Sequence, residues 1–523
     1  MGSPAREDTT AVDGATREGA AEGPERSDHH PPAPVAWWPV GGIAAAVGVV
    51  LLATAGRIGY FGDELYFLAA GRYHLEWGYA DQPWLLPLLA RAMDTLFPGS
   101  VVGLRLPALL VTVAGVVVTA LIARELGGGR HAQTLAAGAY AICPQLLVSG
   151  HLLATSTIDP FLWTVTTWLV VRWVRVRGQR GADRLLLLAG CVTAVAMQGK
   201  FLIVFLWLAL AAVVLVTGPR ELLRRPALWA GGAIAVLATV PTLLWQARNG
   251  WPYLEMQEVV AEQVHRILGG PLLFVPIALV AAGPLVGAFL AVHGLWQLLR
   301  APELAAYRFL GWTALAVTAL FVVTVGRYYY VAGLYGLLFA ASAVRLERHR
   351  PARWWRWVPT WPVYALSAVV VIGVGLPVRP VSTVTTTDFV ASGSLGWPEL
   401  ADTVAAAHRA LPPGERDRAV VFTETYWQAG ALEVYGPERG LPPVFSPERG
   451  YWFTGRPPEG SDPLLVVGMD PGYLRGFCAG VREVERVRLA AVPEENVNQG
   501  VPVWLCSGPR APWDRLWPEL RRM

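Results

Sequence analysis

The sequence predicts a polytopic α-helical membrane protein with about eleven transmembrane helices and a C-terminal extracytoplasmic α/β domain. Of its 523 residues, 54% are hydrophobic and 16% are charged, and the mean hydropathy is +0.40. These are too few charges to cover a soluble globule of this size. In addition, apolar runs of about 17 to 25 residues, the length that crosses a bilayer as a helix, recur along most of the chain.

Residues 1–35 are polar, rich in Pro and Gly and mixed in charge, which predicts a disordered cytoplasmic tail. They lack the basic start and cleavage site of a signal peptide. The transmembrane domain is predicted at 36–377, with a first external loop at 59–100. Its apolar runs lie near 36–58, 101–123, 132–149, 158–174, 184–198, 201–217, 228–247, 271–297, 309–325, 329–345 and 358–377.

Arginine in the short loops predicts the orientation. Alternate loops contain clusters such as "RWVRVRGQRGADR", "PRELLRRP" and "RLERHRPARWWRW", whereas the opposite loops hold isolated cations such as Arg72 and Arg248. Because cytoplasmic loops collect Lys and Arg, we expect a multi-pass protein of the cell membrane with a cytoplasmic N-terminus. Loop 59–100 and the C-terminal part then lie outside the cytoplasm.

Residues 378–523 differ from the rest because charges occur throughout them. The strand-like runs "RAVVFTE", "PLLVVGMD" and "VPVWLC" and the helix-like "YWQAGALEVYG" predict a small α/β domain. At about 145 residues it is large enough for its own core. Cys478 and Cys506 fall in this segment, on the oxidising side, where they form either a disulfide or two buried thiols.

The basic residues exclude one class of partner and single out one position. The net charge is only +4 and is spread over short clusters, whereas a nucleic-acid-binding protein would gather it on one face. Of the 43 basic residues only Lys200 is a lysine. A compact ammonium at the external end of a predicted span suggests contact with a phosphate group.

The first external loop begins "GYFGDELYFLAAGRYHLEWGYADQPW", and the acids singled out in it are Asp63, Glu64 and Asp81. Acids near the membrane are costly and usually functional. In the first turn of a helix they also bind free backbone amides, so helix capping is the alternative. Neighbouring helix residues point about 100° apart, so Asp63 and Glu64 do not share one proton, and one can face a cavity while the other caps.

The residues after these acids have the spacing of a helix with an aromatic face, formed by Tyr66, Tyr73 and Trp77. Such a helix is typical of the membrane interface. His74 lies nearby, where a polar surface role is the simpler interpretation. The loop thus predicts an interfacial helix that begins near Gly62.

Five segments carry a family resemblance, in this order: "DELYFLAAGRYHLEWGYADQPWLLPLL", "TSTIDPFLW", "AMQGKFLIV", "PTLLWQARNGWPYLE" and "GRYYYVAGLY". Together they resemble the family 39 glycosyltransferases of the glycosyltransferase C superfamily, relatives of protein O-mannosyltransferases and the lipid A aminoarabinose transferase. The likeness runs over about residues 36 to 345. The segments "YWQAGALEVYG", "GLPPVFSPERGYW" and "NVNQGVPVWLC" resemble the external domain of bacterial members.

The resemblance implies transfer of a sugar from a polyprenyl-phosphate donor to an extracytoplasmic acceptor (protein, lipid or cell-wall glycan), with inversion. The family pattern gives the role of catalytic base to Asp63, with Glu64 beside it. Asp81 belongs to a turn that is Asp-His-Pro-Pro-like in the family, whereas here it reads Asp-Gln-Pro-Trp. Because the histidine is missing, the resemblance supports no histidine-dependent role at this turn.

The resemblance also implies cations and hydroxyls that bind the donor phosphate. The candidates are Lys200 and Arg327, which precedes Tyr328 and Tyr329 where the family has a lysine before two tyrosines. The alternatives are a snorkelling arginine and an aromatic belt. Asp159 is a further candidate for substrate binding, and helix capping is its alternative.

No cofactor is expected, and no pattern resembles an Asp-x-Asp metal site, although a divalent metal is left open. The expected partners are the lipid-linked donor, the acceptor and the bilayer. The alternative function is a transporter or flippase of lipid-linked sugars. Transporters tend to contain internal repeats with broken helices in matching halves, and the sequence has no such repeat.

Overall fold

The structure is a computed structural model that describes residues 1–2, 32–349, 351–385, 388–490 and 496–523. The predicted disordered tail lies almost wholly outside these residues. The chain from Ala33 to Met523 forms one compact unit.

Apolar helices make up the first part of this unit, as the composition predicts. They are α1 (Trp37–Ala55), α2 (Gly62–Tyr73), α3 (Leu85–Leu96), α4 (Val101–Glu125), α5 (Arg130–Ala141), α6 (Pro144–Ser149), α7 (Thr155–Val176), α8 (Arg184–Gly199), α9 (Ile203–Val216), α10 (Pro226–Arg248), α11 (Pro252–Ile267), α12 (Phe274–Ala282), α13 (Val286–Arg300), α14 (Arg308–Val323), α15 (Tyr335–Arg348) and α16 (Trp361–Gly375). A 3₁₀ segment, Tyr328–Leu334, leads into α15.

Within the described residues, five helices are long and apolar enough to cross a membrane, or six if α11 and the segment Pro271–Ala282, bent by 75°, count as one broken span. The count of about eleven spans therefore stays a prediction. Two predicted spans are interrupted. The first breaks before Pro144, which begins α6, and the second breaks at Gly283 (φ +136°), between α12 and α13.

The C-terminal part contains a five-stranded sheet. Its strands are β1 (Val420–Thr423), β2 (Val444–Phe445), β3 (Leu464–Val467), β4 (Cys478–Arg486) and β5 (Pro502–Pro509), in the order β2-β1-β3-β5-β4. The helices of this part are α17 (Phe389–Ser392), α18 (Trp397–Arg409), α19 (Pro413–Arg416), α20 (Tyr426–Tyr435), α21 (Pro471–Phe477) and α22 (Trp513–Leu520).

The sheet has a parallel half and an antiparallel half. Strands β1, β2 and β3 are parallel, and β5 pairs antiparallel with β3 and β4. Strands β1 and β3 are buried along their whole length, so they read as continuous apolar runs that the sequence identifies. Strand β4 is largely exposed and rich in charges. Because it lacks an apolar run, the sequence does not predict it as a strand. Cys478 and Cys506 form a disulfide, with Cα atoms 5.8 Å apart.

The first external loop packs against this α/β part. Helices α2 and α20 pack closely against each other. A Cβ at Gly430 of α20 would stand 2.9 Å from the carbonyl carbon of Leu65 of α2. Tyr66 is therefore only 1% exposed, and α2 ends at Tyr73, before Trp77. The C-terminal part thus covers Tyr66, whereas Tyr73 and Trp77 are about half exposed, at 51% and 57%, and the placement of α2 at the membrane interface stays a prediction.

Candidate active site

Two cavities meet beside the first turn of α2. One, of about 380 Å³, contains most of the charged groups, and the other, of about 540 Å³, is lined mainly by apolar side chains of α6, α12 and α16. Both cavities contact the same few residues. These are Asp63, Ala154, Ser156, Arg327, Tyr329 and Phe389. We call the first the polar cavity and the second the apolar cavity.

Asp63 stands where the two cavities join. Its Oδ1 accepts hydrogen bonds from the hydroxyl of Tyr426 and from Nε1 of Trp427, both at 2.7 Å. Both donors lie in the first turn of α20. Within the described part of the chain, Oδ2 accepts no hydrogen bond, so this oxygen remains available to a substrate hydroxyl.

Glu64 points the other way and contacts neither cavity. It is fully buried and pairs with Arg105 of α4 at 2.7 Å. Its carboxylate also accepts from the backbone N–H of Phe61 at 2.9 Å and of Leu153 at 3.0 Å. Glu64 therefore caps α2 and ties it to α4, and this geometry does not support the catalytic role that was expected for it.

Asp81 faces the polar cavity from the loop after α2. Its Oδ1 accepts a hydrogen bond from the hydroxyl of Tyr66 at 3.2 Å. Burial raises the pKa of Asp81, the nearby charge of Arg449 opposes this rise, and the charge of Asp63 adds to it. Gln82, which replaces the histidine of the family turn, also lines this cavity.

The two cations predicted to bind phosphate both line the polar cavity, and Arg327 also lines the apolar cavity. Lys200 follows α8, and its Nζ lies 4.6 Å from the ring centre of Tyr330 and 5.4 Å from that of Tyr329. Among the described residues, Lys200 has no carboxylate within ion-pair distance. Arg327 donates to the hydroxyl of Tyr329 at 3.0 Å and to Oε1 of Gln263 at 2.6 Å.

The remaining predicted residues are placed differently. Tyr329 lines both cavities, whereas Tyr328 lines only the apolar one. Asp159 lies inside α7, which begins at Thr155, so it is not the helix cap that was the alternative. Its side chain is buried, and its Oδ1 has no hydrogen-bond partner among the described residues. It lines neither cavity.

Sequence reasoning missed the contribution of the C-terminal part. Tyr426 and Trp427 follow β1, and Glu448 and Arg449 follow β2, and all four line the polar cavity. The signal was present, because the segments "YWQAGALEVYG" and "GLPPVFSPERGYW" contain them. What the sequence did not show was that these segments meet α2.

The polar cavity combines three cations with three carboxylates. Lys200, Arg327 and Arg449 supply positive charge, and Asp63, Asp81 and Glu448 supply negative charge. Within the described ranges, no group of three or more His, Cys, Asp or Glu side chains is arranged to bind a metal ion. The arrangement can take a proton from a hydroxyl at Asp63 and stabilise an anion near Lys200 and Arg327.

Comparison with known proteins gives a family match and a shared fold. Residues 81–245 match the family described as dolichyl-phosphate-mannose-protein mannosyltransferase. The crystal structure of ArnT from Cupriavidus metallidurans bound to undecaprenyl phosphate is similar with a TM-score of 0.58 and 18% identity, over 90% of this chain and 99% of that chain. No curated protein matches in sequence.

A second similar structure is that of a mutant of the arabinofuranosyltransferase AftD from Mycobacteria. It has a TM-score of 0.50 and 16% identity, over 91% of this chain and 42% of that chain. At such identities the likeness establishes the fold. The family match and the fold together confirm that this multi-pass membrane protein resembles the family 39 glycosyltransferases, with a fold of the glycosyltransferase C superfamily.

Proposed function

We propose that this protein is a membrane glycosyltransferase that moves a sugar from a polyprenyl-phosphate donor to an acceptor outside the cytoplasm. One observation carries the proposal: Asp63 lies where an apolar cavity meets a cavity that is also lined by the cations Lys200 and Arg327. A lipid phosphate ester needs both surroundings, because its chain is apolar and its phosphate is charged. The similar ArnT structure is bound to undecaprenyl phosphate and AftD is an arabinofuranosyltransferase, which supports this class of donor and reaction.

The chemistry follows from the positions of the charged groups. Oδ2 of Asp63 takes the proton of an acceptor hydroxyl while the hydroxyl oxygen attacks the anomeric carbon of the sugar. The bond between that carbon and the phosphate oxygen breaks, and the electron pair leaves with the polyprenyl phosphate. Lys200 and Arg327 stabilise the phosphate as its charge increases. A single displacement of this kind inverts the anomeric configuration.

The tyrosines and Asp81 take the remaining roles in this proposal. Tyr329 borders both cavities, so its hydroxyl is placed to contact the donor phosphate. Tyr328 contacts the first part of the lipid chain, since it lines only the apolar cavity. Asp81 is half-buried in the wall of the polar cavity and is suited to accept a hydrogen bond from a sugar hydroxyl.

The proposed orientation places the N-terminus in the cytoplasm and the α/β domain, residues 378–523, outside it. It is supported by the arginine clusters of the alternate loops. Lys200, Arg327 and α2 all lie in connections of the opposite set, together with the α/β domain. A sugar acceptor then approaches from the extracytoplasmic side.

A transporter or flippase of lipid-linked sugars is the rival function, since it too would bind lipid and phosphate. Release of free polyprenyl phosphate separates the two, because a flippase moves the lipid between leaflets without breaking the bond to the sugar. The experiment is therefore incubation of purified protein with a panel of radiolabelled polyprenyl-phosphate monosaccharides and a membrane extract that supplies acceptors. We expect the release of polyprenyl phosphate, and leaflet exchange without release would contradict the proposal.

The decisive variant is Asp63→Asn. Asparagine still accepts from Tyr426 and Trp427 through Oδ1, but it cannot take a proton at the second position. Loss of a general base lowers the rate by about 10²- to 10⁴-fold. Asp470→Asn is the matched control, because Asp470 caps α21 through the amides of Gly472 and Tyr473 and lies outside both cavities. Normal turnover by folded Asp63→Asn would contradict the role of Asp63.

A further inference from the structure

The α/β domain reaches the polar cavity with one particular edge of its sheet. Tyr426 and Trp427 follow the carboxyl end of β1, and Glu448 and Arg449 follow the carboxyl end of the neighbouring parallel strand β2. In open α/β sheets this edge is where ligand-binding groups occur. The domain therefore presents its functional edge to α2, which carries Asp63 on the membrane part.

The hydrogen bonds between the two parts have a fixed direction. Nη1 of Arg449 lies 3.1 Å from the hydroxyl oxygen of Tyr426, and a guanidinium only donates. The Tyr426 oxygen therefore accepts from Arg449, and its own proton is directed to Oδ1 of Asp63 at 2.7 Å. The Trp427 indole, which also only donates, occupies the same Oδ1.

Arg449 is held in place by its own surroundings. Its backbone has φ +49°, a left-handed conformation that is costly for a residue other than glycine. The backbone N–H of Arg449 donates to the carbonyl of Arg522 at 2.8 Å, and that of Arg522 donates to Pro447 at 2.9 Å. The guanidinium also lies over the ring of Tyr426, 4.6 Å from its centre.

We propose that Arg449 and Tyr426 of the α/β domain are positioning residues for Asp63, so that the active site is complete only when this domain is docked on α2. This inference rests on the proposed function. Two donors hold Oδ1, which turns Oδ2 toward the junction of the cavities as the one oxygen that can take a proton. Arg449 acts on Asp63 indirectly. It donates to the Tyr426 oxygen and so orients the hydroxyl proton toward Asp63.

The inference predicts a particular kinetic defect. Tyr426→Phe removes one donor from Asp63 and leaves the phenyl ring, and Arg449→Met removes the group that orients the hydroxyl. Each change should lower kcat by about 10- to 100-fold, which corresponds to one hydrogen bond to a charged group. The KM for the polyprenyl-phosphate sugar should change less than threefold, because Lys200, Arg327 and the apolar cavity are untouched. Arg449→Lys, which retains a donor, should recover part of the loss.

A double-mutant cycle with Asp63→Asn tests whether Tyr426 acts through Asp63. Turnover is measured for the wild type, Tyr426→Phe, Asp63→Asn and the double variant, each checked for unchanged thermal stability in detergent. We expect Tyr426→Phe to lower kcat in the wild-type background and to have almost no further effect beside Asn at position 63. Tyr473→Phe is the matched control, since Tyr473 lies on the same domain and outside both cavities.

The failure of this inference differs from the failure of the proposed function. Equal losses from Tyr426→Phe in both backgrounds, or full activity of both Tyr426→Phe and Arg449→Met, would overturn the positioning role while Asp63→Asn still abolished transfer. If Tyr426→Phe does not fold, Arg449→Met and Arg449→Lys carry the same cycle. Absence of any release of polyprenyl phosphate by the wild type would instead remove the proposed function.

Discussion

Glu64 and Arg105 form a fully buried ion pair, with Nη2 of Arg105 2.7 Å from Oε2 of Glu64 and side-chain exposures of 0% and 1%. Arg105 also donates to the carbonyls of Ala55 at 2.6 Å and Gly59 at 2.8 Å. The pair thereby joins the end of α1, the start of α2 and α4. It fixes the first turn of α2, from which the neighbouring Asp63 points into the cavities.

Glu64→Gln should therefore affect stability before chemistry. Removal of one partner leaves the charge of Arg105 buried and uncompensated, which typically costs about 3–5 kcal/mol. We expect a lower apparent Tm and a smaller folded yield in detergent, with transfer by the folded fraction reduced far less than in Asp63→Asn. Thermal unfolding and turnover per folded molecule check this. Normal stability with lost turnover would return Glu64 to the role of catalytic base.

The two adjacent acids, Asp63 and Glu64, show what could be predicted about the site from the sequence and what could not. The angle between neighbouring helix residues indicates that Asp63 and Glu64 face different surroundings, and the structure agrees. Which acid is the cap depends on Arg105, 41 residues from Glu64 along the chain, and no local pattern connects the two. The broad class was predictable because composition and apolar run length depend on the bilayer alone.

Lys200 should be required for binding of the donor phosphate. Its ammonium lies in the polar cavity against the rings of Tyr329 and Tyr330, without a carboxylate partner among the described residues. We expect Lys200→Ala to raise the KM for the donor and lower kcat while expression stays normal, and Lys200→Arg to have a milder effect because its planar fork replaces a point charge. Steady-state kinetics with varied donor measure both effects.

The single lysine permits a direct check of this contact. Because the chain has no other lysine, reductive methylation marks Lys200 and the N-terminal amine only. Added polyprenyl phosphate should protect Lys200 and leave the N-terminal amine reactive, which serves as the internal control. Equal modification with and without the lipid, or full activity of Lys200→Arg and Lys200→Ala, would contradict a role in phosphate binding.

The orientation can be tested with one cysteine on each side. Glu438 is exposed on the α/β domain, and Gln179 is exposed in the arginine-rich connection between α7 and α8. We expect a membrane-impermeant thiol reagent to label Glu438→Cys in intact cells and Gln179→Cys only after lysis. The reverse result, with Gln179→Cys labelled in intact cells and Glu438→Cys labelled only after lysis, would place the α/β domain in the cytoplasm.

The contacts of the α/β domain with the site were beyond sequence reasoning. Tyr426 and Asp63 are 363 residues apart, and neither the continuous apolar run of β1 nor the spacing of α2 specifies that the two segments touch. The aromatic pattern of α2 does not distinguish its residues, because aromatic side chains suit a lipid interface and a domain interface equally. Only the three-dimensional packing shows that Tyr66 is covered by protein.

Gly62 is one of the residues on which this packing depends. A Cβ at Gly62 would stand 2.2 Å from Cδ2 of Trp427, so even alanine must displace the indole that donates to Asp63. We expect Gly62→Ala to lower turnover by about 10-fold or more, as the loss of a hydrogen bond to a charged group does, while the apparent Tm falls only slightly. Gly42→Ala is the matched control, because a Cβ there meets no atom within 4 Å. Equal turnover by Gly62→Ala and Gly42→Ala would show that the indole contact is dispensable, and a large loss of Tm in Gly62→Ala alone would assign the glycine to stability rather than to the placement of Asp63.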